Sequence, residues 1–501
     1  MKVLFIYPPI TMSRGDPTFI RFTPLLGLGY MAAVLEREGI EVKVLDAVVT
    51  GKIRKDDNFI YYGLTDEEIR KYIETYSPDI VGISSQFTSF SKNAHNTARI
   101  VKEVNKDILV VFGGANSTAC SDFILSNDKN VDVVVKGEGE LTMLELVQKM
   151  IKKKPIFNVQ GIKIRKNGKI IDNPQRAYIE NLDSLPFPAR HLLPMEIYFE
   201  NYKWWNMRNP CTTLVTSRGC PGACTYCSIH SIWGHKWRPR SSGSVLDEME
   251  FLIEKYGVRE FDFIDDNMGV DKKRMMKICD GIKKRKMDIK WKLPNGIGHW
   301  TLDKKVLIKM KASGCYKITF GIESANLETR RFVGKTHDLN QAKELLKTAN
   351  ELGFYTMGTF IIGFPYEQRE SINDTVNFAI NSDFDMPVIY VMAAFPGTPV
   401  YEICKKEGLI KNDDYLSFSY YRGGLPRTKY FKREELHKIV DDAHKEIIKR
   451  QILRHMNPFY MKKKINSLED LEFLLKLGKN YAISLIKSIR YGVMTPKAMF
   501  K

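Results

Sequence analysis

The sequence predicts an α/β protein in three parts: a doubly wound parallel sheet, a partial (β/α)6 barrel and a C-terminal helical region. Short apolar runs alternate with helical patterns over the first 150 residues, and the alternation resumes between residues 206 and about 410. The last ninety residues keep the helical spacing and lose the strands. A chain of 501 residues also exceeds the size at which one core stops growing. Units are therefore expected at 1–150, 206–410 and 411–501, with a connector over 151–205.

In the first unit, residues 3–7, 42–45, 80–83, 109–112 and 131–135 read as strands, and 29–38 and 94–104 as helices between them. A doubly wound sheet binds ligands beyond the carboxyl ends of its strands. Those ends carry Ser84, Ser85 and Gln86, then Gly113 and Gly114, then Gly137 and Glu138. Glycines there let a ligand approach the backbone closely. No GxGxxG follows the first strand, which argues against a dinucleotide.

The connector holds a hairpin pattern at 163–171 with Asn167-Gly168 at its turn, then an extended Pro-rich stretch at 185–190. Trp204 and Trp205 follow, as a substrate lid or as packing between domains. In the barrel, strands are expected at 212–215, 261–265, 289–293, 317–320, 355–362 and 388–391, with amphipathic helices such as 245–256 and 340–352. Barrel chemistry sits at the carboxyl ends of strands. Asp265, Asp266, Asn295, Glu323, Ser324 and Gly363 all fall there.

Directly after the first barrel strand stand Cys220, Cys224 and Cys227, a CxxxCxxC spacing on one loop. A four-iron cluster normally takes four thiolates, so three from one loop leave an iron open for chemistry. The alternatives are unrelated core thiols or zinc, which normally wants four Cys/His ligands in paired clusters. No second CxxC occurs, and His230 is the nearby residue that would complete a zinc site. Eight cysteines in this length make no disulfide framework and suit a reducing cytoplasm. No apolar run reaches the length of a membrane span. The charge of +18 favours anionic partners without choosing among them.

Beyond the cysteines, the segments 233–241, 265–267, 294–296 with Trp300, 321–324 and 360–365 resemble the cobalamin-dependent radical S-adenosylmethionine (AdoMet) methylases. The resemblance extends into the first unit through 23–29, 62–69, 78–85 and 137–140, and covers roughly residues 1–410. It implies a 4Fe-4S cluster on the three cysteines and cobalamin, as methylcobalamin, against Leu26, Gly27, Ser84, Ser85, Gln86, Gly113, Gly114, Gly137 and Glu138. It implies AdoMet held by Tyr226, Asp265, Asp266, Asn295, Glu323, Ser324 and Gly363, with Tyr226 near the adenine. No DxHxxG occurs, and His95 is the only histidine before residue 191, so imidazole ligation of cobalt is not expected.

The activity so implied is methylation of an unactivated carbon through a 5′-deoxyadenosyl radical and methylcobalamin, with no catalytic residue beyond the cofactors. Ring or carbon-carbon bond formation is the alternative within the same cofactor set. RNA binding, suggested by charge alone, is disfavoured: RNA-modifying relatives usually carry a second cysteine trio upstream and a β-barrel downstream. The expected partners are a small-molecule or lipid substrate, in keeping with the charge an anionic one, and an external electron donor such as flavodoxin or ferredoxin. Residues 451–501 hold ten Lys/Arg against three Asp/Glu, with Leu468, Leu471, Leu475, Ala482, Leu485, Ile486 and Ile489 at helical spacing. Such a tail either lies on a membrane surface or covers a core.

Overall fold

The structure, a computed structural model, describes residues 1–14, 22–202, 206–410, 427–465 and 467–490, without the side chains of Tyr202 and 480–490. Trp204 and Trp205 lie outside the described residues. The strands are β1 (Lys2–Tyr7), β2 (Ile10–Ser13), β3 (Glu41–Asp46), β4 (Lys52–Lys55), β5 (Phe59–Gly63), β6 (Ile80–Ser84), β7 (Leu109–Gly113), β8 (Val133–Val135), β9 (Ile162–Lys166) and β10 (Lys169–Asp172) in the N-terminal part. The barrel part adds β11 (Cys211–Leu214), β12 (Ser217–Arg218), β13 (Arg238–Pro239), β14 (Glu260–Phe263), β15 (Lys290–Ile297), β16 (Cys315–Glu323), β17 (Tyr355–Ile362) and β18 (Met386–Val391).

The first sheet runs β10-β9-β8-β7-β6-β1-β3. Its five strands from β8 to β3 pair in parallel. Their chain order across the sheet is 2-1-3-4-5, which places the topological switch point between β1 and β6. The connector hairpin adds β9 and β10 as antiparallel strands at one edge. Burial on both faces explains the apolar runs. Val3 and Phe5 enter one core with Leu28, Ala32 and Leu146, while Leu4 and Ile6 enter another with Ile69, Ile73 and Val101. Helix Asp66–Tyr76 starts at a capping box: the Glu68 amide donates to Thr65 Oγ1, and the Thr65 amide to Glu68 Oε2. A small sheet β2-β5-β4, which the sequence patterns did not suggest, lies beside this unit.

Six parallel strands in sequential order, β11-β14-β15-β16-β17-β18, form the partial barrel. Helices Ser242–Tyr256, Lys272–Lys284 and Leu339–Glu351 carry apolar faces into its core. Helix Arg433–Met456 runs along β18, from Leu436 beside Gly363 to Gln451 and Arg454 at the Phe384 carbonyl, and the helices after it close the barrel at the amino ends of the strands. The Ile389 amide donates to His444 of helix Arg433–Met456 at 3.1 Å. The buried Lys464 ammonium, on helix Pro458–Lys464, donates to Asp385 at 2.8 Å and Asn350 at 2.9 Å. Phe473, on helix Leu468–Arg490, sets its ring edge-on to Tyr316 and Tyr355. The inner side of the basic tail thus covers a core. No helix among the described residues is long and apolar enough to cross a membrane.

Candidate functional site

The cysteine loop leaves β11 and is pinned at each step. Asp265, just past β14, accepts the Thr216 amide at 2.7 Å, the Thr216 hydroxyl at 2.6 Å and the Ser217 hydroxyl. Asp266 accepts the Gly219 amide at 2.9 Å. Gly219 has φ +83°, and a Cβ there would sit 2.4 Å from the Lys236 carbonyl, so only glycine makes this turn without strain. Farther along, the Thr225 amide donates to the Val333 carbonyl at 3.1 Å.

Cys220, Cys224 and Cys227 are free and half-buried. Burial pushes the Cys227 thiol up to about 12, and Cys224 and Asp266 nearby push in the same direction. Burial likewise raises Cys220 and Cys224. Three desolvated thiols that repel once ionised become thiolates when a metal centre supplies positive charge, so these residues fit a cluster. A single ion fits less well. Among the described residues, ligand atoms gather within 4.8 Å only at Cys211, Glu260 and Asp262, where the Lys292 ammonium already neutralises both carboxylates.

Beside Cys224, the buried Lys335 ammonium donates to Glu323 at 3.0 Å. Tyr226 is half-buried, with Glu323 beside its hydroxyl, and its ring lies 6.0 Å from that of Phe364. Glu323 and Tyr226 thus come together beside the cluster loop. Lys335 was missed by the sequence reading; its signal is a lysine directly after Gly334, the residue that abuts the Ala223 carbonyl. Three other expected AdoMet residues are already engaged. All the contacts drawn above for the Asp265 carboxylate are to the cysteine loop. The Ser324 hydroxyl bonds Thr375 at 2.9 Å. The Gly363 amide donates to Glu367 at 2.7 Å. These positions shape the site from behind, because strand-end polar groups here also anchor the loops that leave them. Asp266, which burial raises to about 7, and Asn295, which donates to the Ile264 carbonyl at 2.9 Å, do reach open space.

That space is a cavity of about 770 Å³ between the two units, at the carboxyl ends of both sets of strands. Leu26, Gly27, Ser84, Gln86, Gly113, Gly114 and Gly137 line it from the first unit, and Asp266 and Asn295 from the barrel. Gly114 has φ +108° and lies against the Ser85 carbonyl, which keeps the wall low where a flat ligand would rest. Ser85 and Glu138 do not line it. The Ser85 hydroxyl accepts from Asn116 at 2.9 Å. Glu138 is spent on a buried clasp between the units: it accepts from Arg218 at 2.9 Å, Arg238 at 2.8 Å and the Ile179 amide at 2.6 Å, while Arg218 also donates to Glu140 at 2.6 Å. His95 is turned away, its Nδ1 2.6 Å from Asp128 and its ring against Phe112. The wall therefore fits a corrin without a histidine ligand.

Residues 21–147 match the B12 binding domain family and residues 214–379 the Radical SAM superfamily. The chain is 33% identical over 444 residues to an uncharacterised methyltransferase of Pyrococcus horikoshii, covering 89% of this chain and 92% of that protein. It is 32% identical over 464 residues to the cytidylyl-2-hydroxyethylphosphonate methyltransferase of Streptomyces wedmorensis, covering 85% of each. Its fold matches that of TsrM from Kitasatospora setae, a radical AdoMet methyltransferase solved with cobalamin and a [4Fe-4S] cluster bound, at a TM-score of 0.66 and 18% identity over 82% of this chain and 76% of that one. The cysteine loop, the cavity between the two units and these likenesses agree: the chain belongs to the cobalamin-dependent radical AdoMet methyltransferases.

Proposed function

We propose that this enzyme methylates an unactivated carbon of a small, anionic substrate seated between the two units. The observation that carries the reading is a cavity walled by both the first sheet's strand ends and the barrel residues Asp266 and Asn295 beside the cysteine loop. When bound, the cluster supplies the electron that cleaves AdoMet to a 5′-deoxyadenosyl radical, and cobalamin supplies the methyl group. We assign the cluster to Cys220, Cys224 and Cys227, AdoMet to the surroundings of Tyr226, Glu323, Asp266 and Asn295, and cobalamin to Leu26, Gly27, Ser84, Gln86, Gly113, Gly114 and Gly137. Lys335 offsets the charge of the thiolates and holds Glu323 in place. Asp265, Glu367 and Ser324 keep the loops rigid, and the clasp through Glu138 sets the distance between the two cofactor walls.

An anionic substrate agrees with the charge of +18 and with the phosphonate substrate named for the Streptomyces relative. The exposed Pro221 and Ala223 of the cysteine loop give an acidic electron donor such as flavodoxin or ferredoxin short access to the cluster, consistent with work in the cytoplasm. In domain terms the connector hairpin goes with the cobalamin unit, whose sheet it extends. The test uses anaerobic enzyme with excess AdoMet, reductant and candidate substrates deuterated at the target carbon. One 5′-deoxyadenosine and one S-adenosylhomocysteine should form per methylated product, with deuterium in the 5′-deoxyadenosine. Methylated product without deuterium transfer would refute the radical route, and 5′-deoxyadenosine without matching S-adenosylhomocysteine would point to ring formation.

A further inference from the structure

The C-terminal helices have a second side that methyl transfer leaves unused. Among the described residues, the five most exposed large apolar side chains of the whole chain are Phe459 (81%), Leu468 (80%), Met456 (73%), Leu453 (70%) and Leu475 (66%). All five fall within 23 consecutive residues. They are outer residues of helices whose inner residues are fixed. Tyr460 and Lys464 point inward beside Asp385, and Phe473 points inward onto Tyr316 and Tyr355. Lys464 and Phe473 flank the same Tyr355 ring, so the last two helices lie side by side beneath the barrel. Leu468, Leu471 and Leu475 follow i, i+3, i+7 and form one stripe along the outer side.

Charge decides what covers this face. Lys449, Arg450, Lys462, Lys463 and Lys479 are exposed around it, and Glu472 is the single exposed acid between residues 449 and 479. Over residues 449–501 twelve lysines and arginines stand against three acidic residues. Aromatic and leucine side chains ringed by lysines suit the boundary between headgroups and acyl chains of an anionic bilayer. A second copy of the chain would bring the same positive charge against itself. We propose that the outer face of residues 449–479, the end of helix Arg433–Met456 with helix Pro458–Lys464 and the first half of helix Leu468–Arg490, is a docking surface for a membrane containing anionic lipids. Docking there is peripheral, and it leaves the cofactor cavity and cysteine loop, at the opposite ends of the strands, open to water.

This inference is independent of the methyl-transfer reading, and so is its test. Full-length enzyme is sedimented with phosphatidylcholine vesicles, with and without phosphatidylglycerol, at low and high salt. Binding should rise about tenfold or more with the anionic lipid and fall back at high salt, because the lysines act through a screened field. A quadruple variant, Leu453→Ser, Phe459→Ser, Leu468→Ser and Leu475→Ser, should lose about tenfold in vesicle binding while AdoMet cleavage to 5′-deoxyadenosine stays at the wild-type level. These side chains face solvent, so their replacement leaves the core intact. Equal binding to both vesicle types, or unchanged binding by the variant, overturns the proposal. So does a concentration-dependent dimer, seen by light scattering, that the same variant abolishes, since the face would then join two copies.

Discussion

Cys220, Cys224 and Cys227 each hold one iron if the cluster is bound as assigned, and two thiolates do not retain it. Replacing any one with Ala should abolish the cluster's EPR signal and 5′-deoxyadenosine formation, while cobalamin still binds at the other wall; wild-type cleavage in any single variant would remove the assignment. Glu367 makes a separate prediction. Its carboxyl accepts the amides of Gly363 and Phe364, yet burial raises it to about 7 from the usual value near 4.5. A folded-state value above the unfolded one means that its contribution is complete below about 4.5 and lost as pH rises through about 7. Glu367→Gln should flatten that fall, by about 1–3 kcal/mol between these limits. Denaturant melts of both proteins across this range check it; parallel pH profiles would show that Glu367 does not titrate there.

At the scale of elements, the clasp joins the turn after β8, which carries Glu138, to β12 and β13, which carry Arg218 and Arg238. Buried pairs of this kind are poor sources of stability but costly to break on one side only. Glu138→Gln leaves two guanidiniums facing a neutral amide, and a small shift of one wall relative to the other follows. Cluster and cobalamin loading, read by EPR and visible absorption, should persist while methyl transfer falls on the order of 10²-fold and 5′-deoxyadenosine is released without product. Equal loss of cleavage and methylation would make the clasp merely structural. This element also marks how far the sequence could be read. The strands were legible because buried parallel strands are continuous apolar runs, and β17 begins and ends at the expected residues. The cysteines were legible because spacing alone constrains a cluster. Which polar residue at a strand end faces ligand and which faces a neighbouring loop depends on contacts distant in the chain. Glu138 pairs with Arg218, 80 residues away, and Asp265 holds Thr216 across two strands. Motif position shows such residues as important without showing which way they point. The sheet β2-β5-β4 escaped notice for another reason: β4 is exposed throughout and carries no alternation.

Across the whole molecule, the C-terminal region closes the barrel at its amino end through Lys464, Asp385, Tyr460 and Phe473. Ending the chain after Asn457 would leave Asp385 buried without its ammonium and bare the Tyr316 and Tyr355 rings. Loss of such a buried pair costs about 3–5 kcal/mol. The truncated enzyme should melt several degrees lower; an unchanged melting temperature would show that the cap is dispensable.

The clasp also bears on how such enzymes can diverge. Two cofactor units in one chain invite the idea of interchangeable modules, with one cobalamin carrier traded for another to reach new substrates. Here the trade would strand Arg218 and Arg238 in a dry seam unless the incoming unit brought its own carboxylates to the same two places. A working chimera must therefore inherit the turn after β8 together with the cysteine loop. Substrate range is freer to drift along the cavity walls, where side chains meet open space rather than one another.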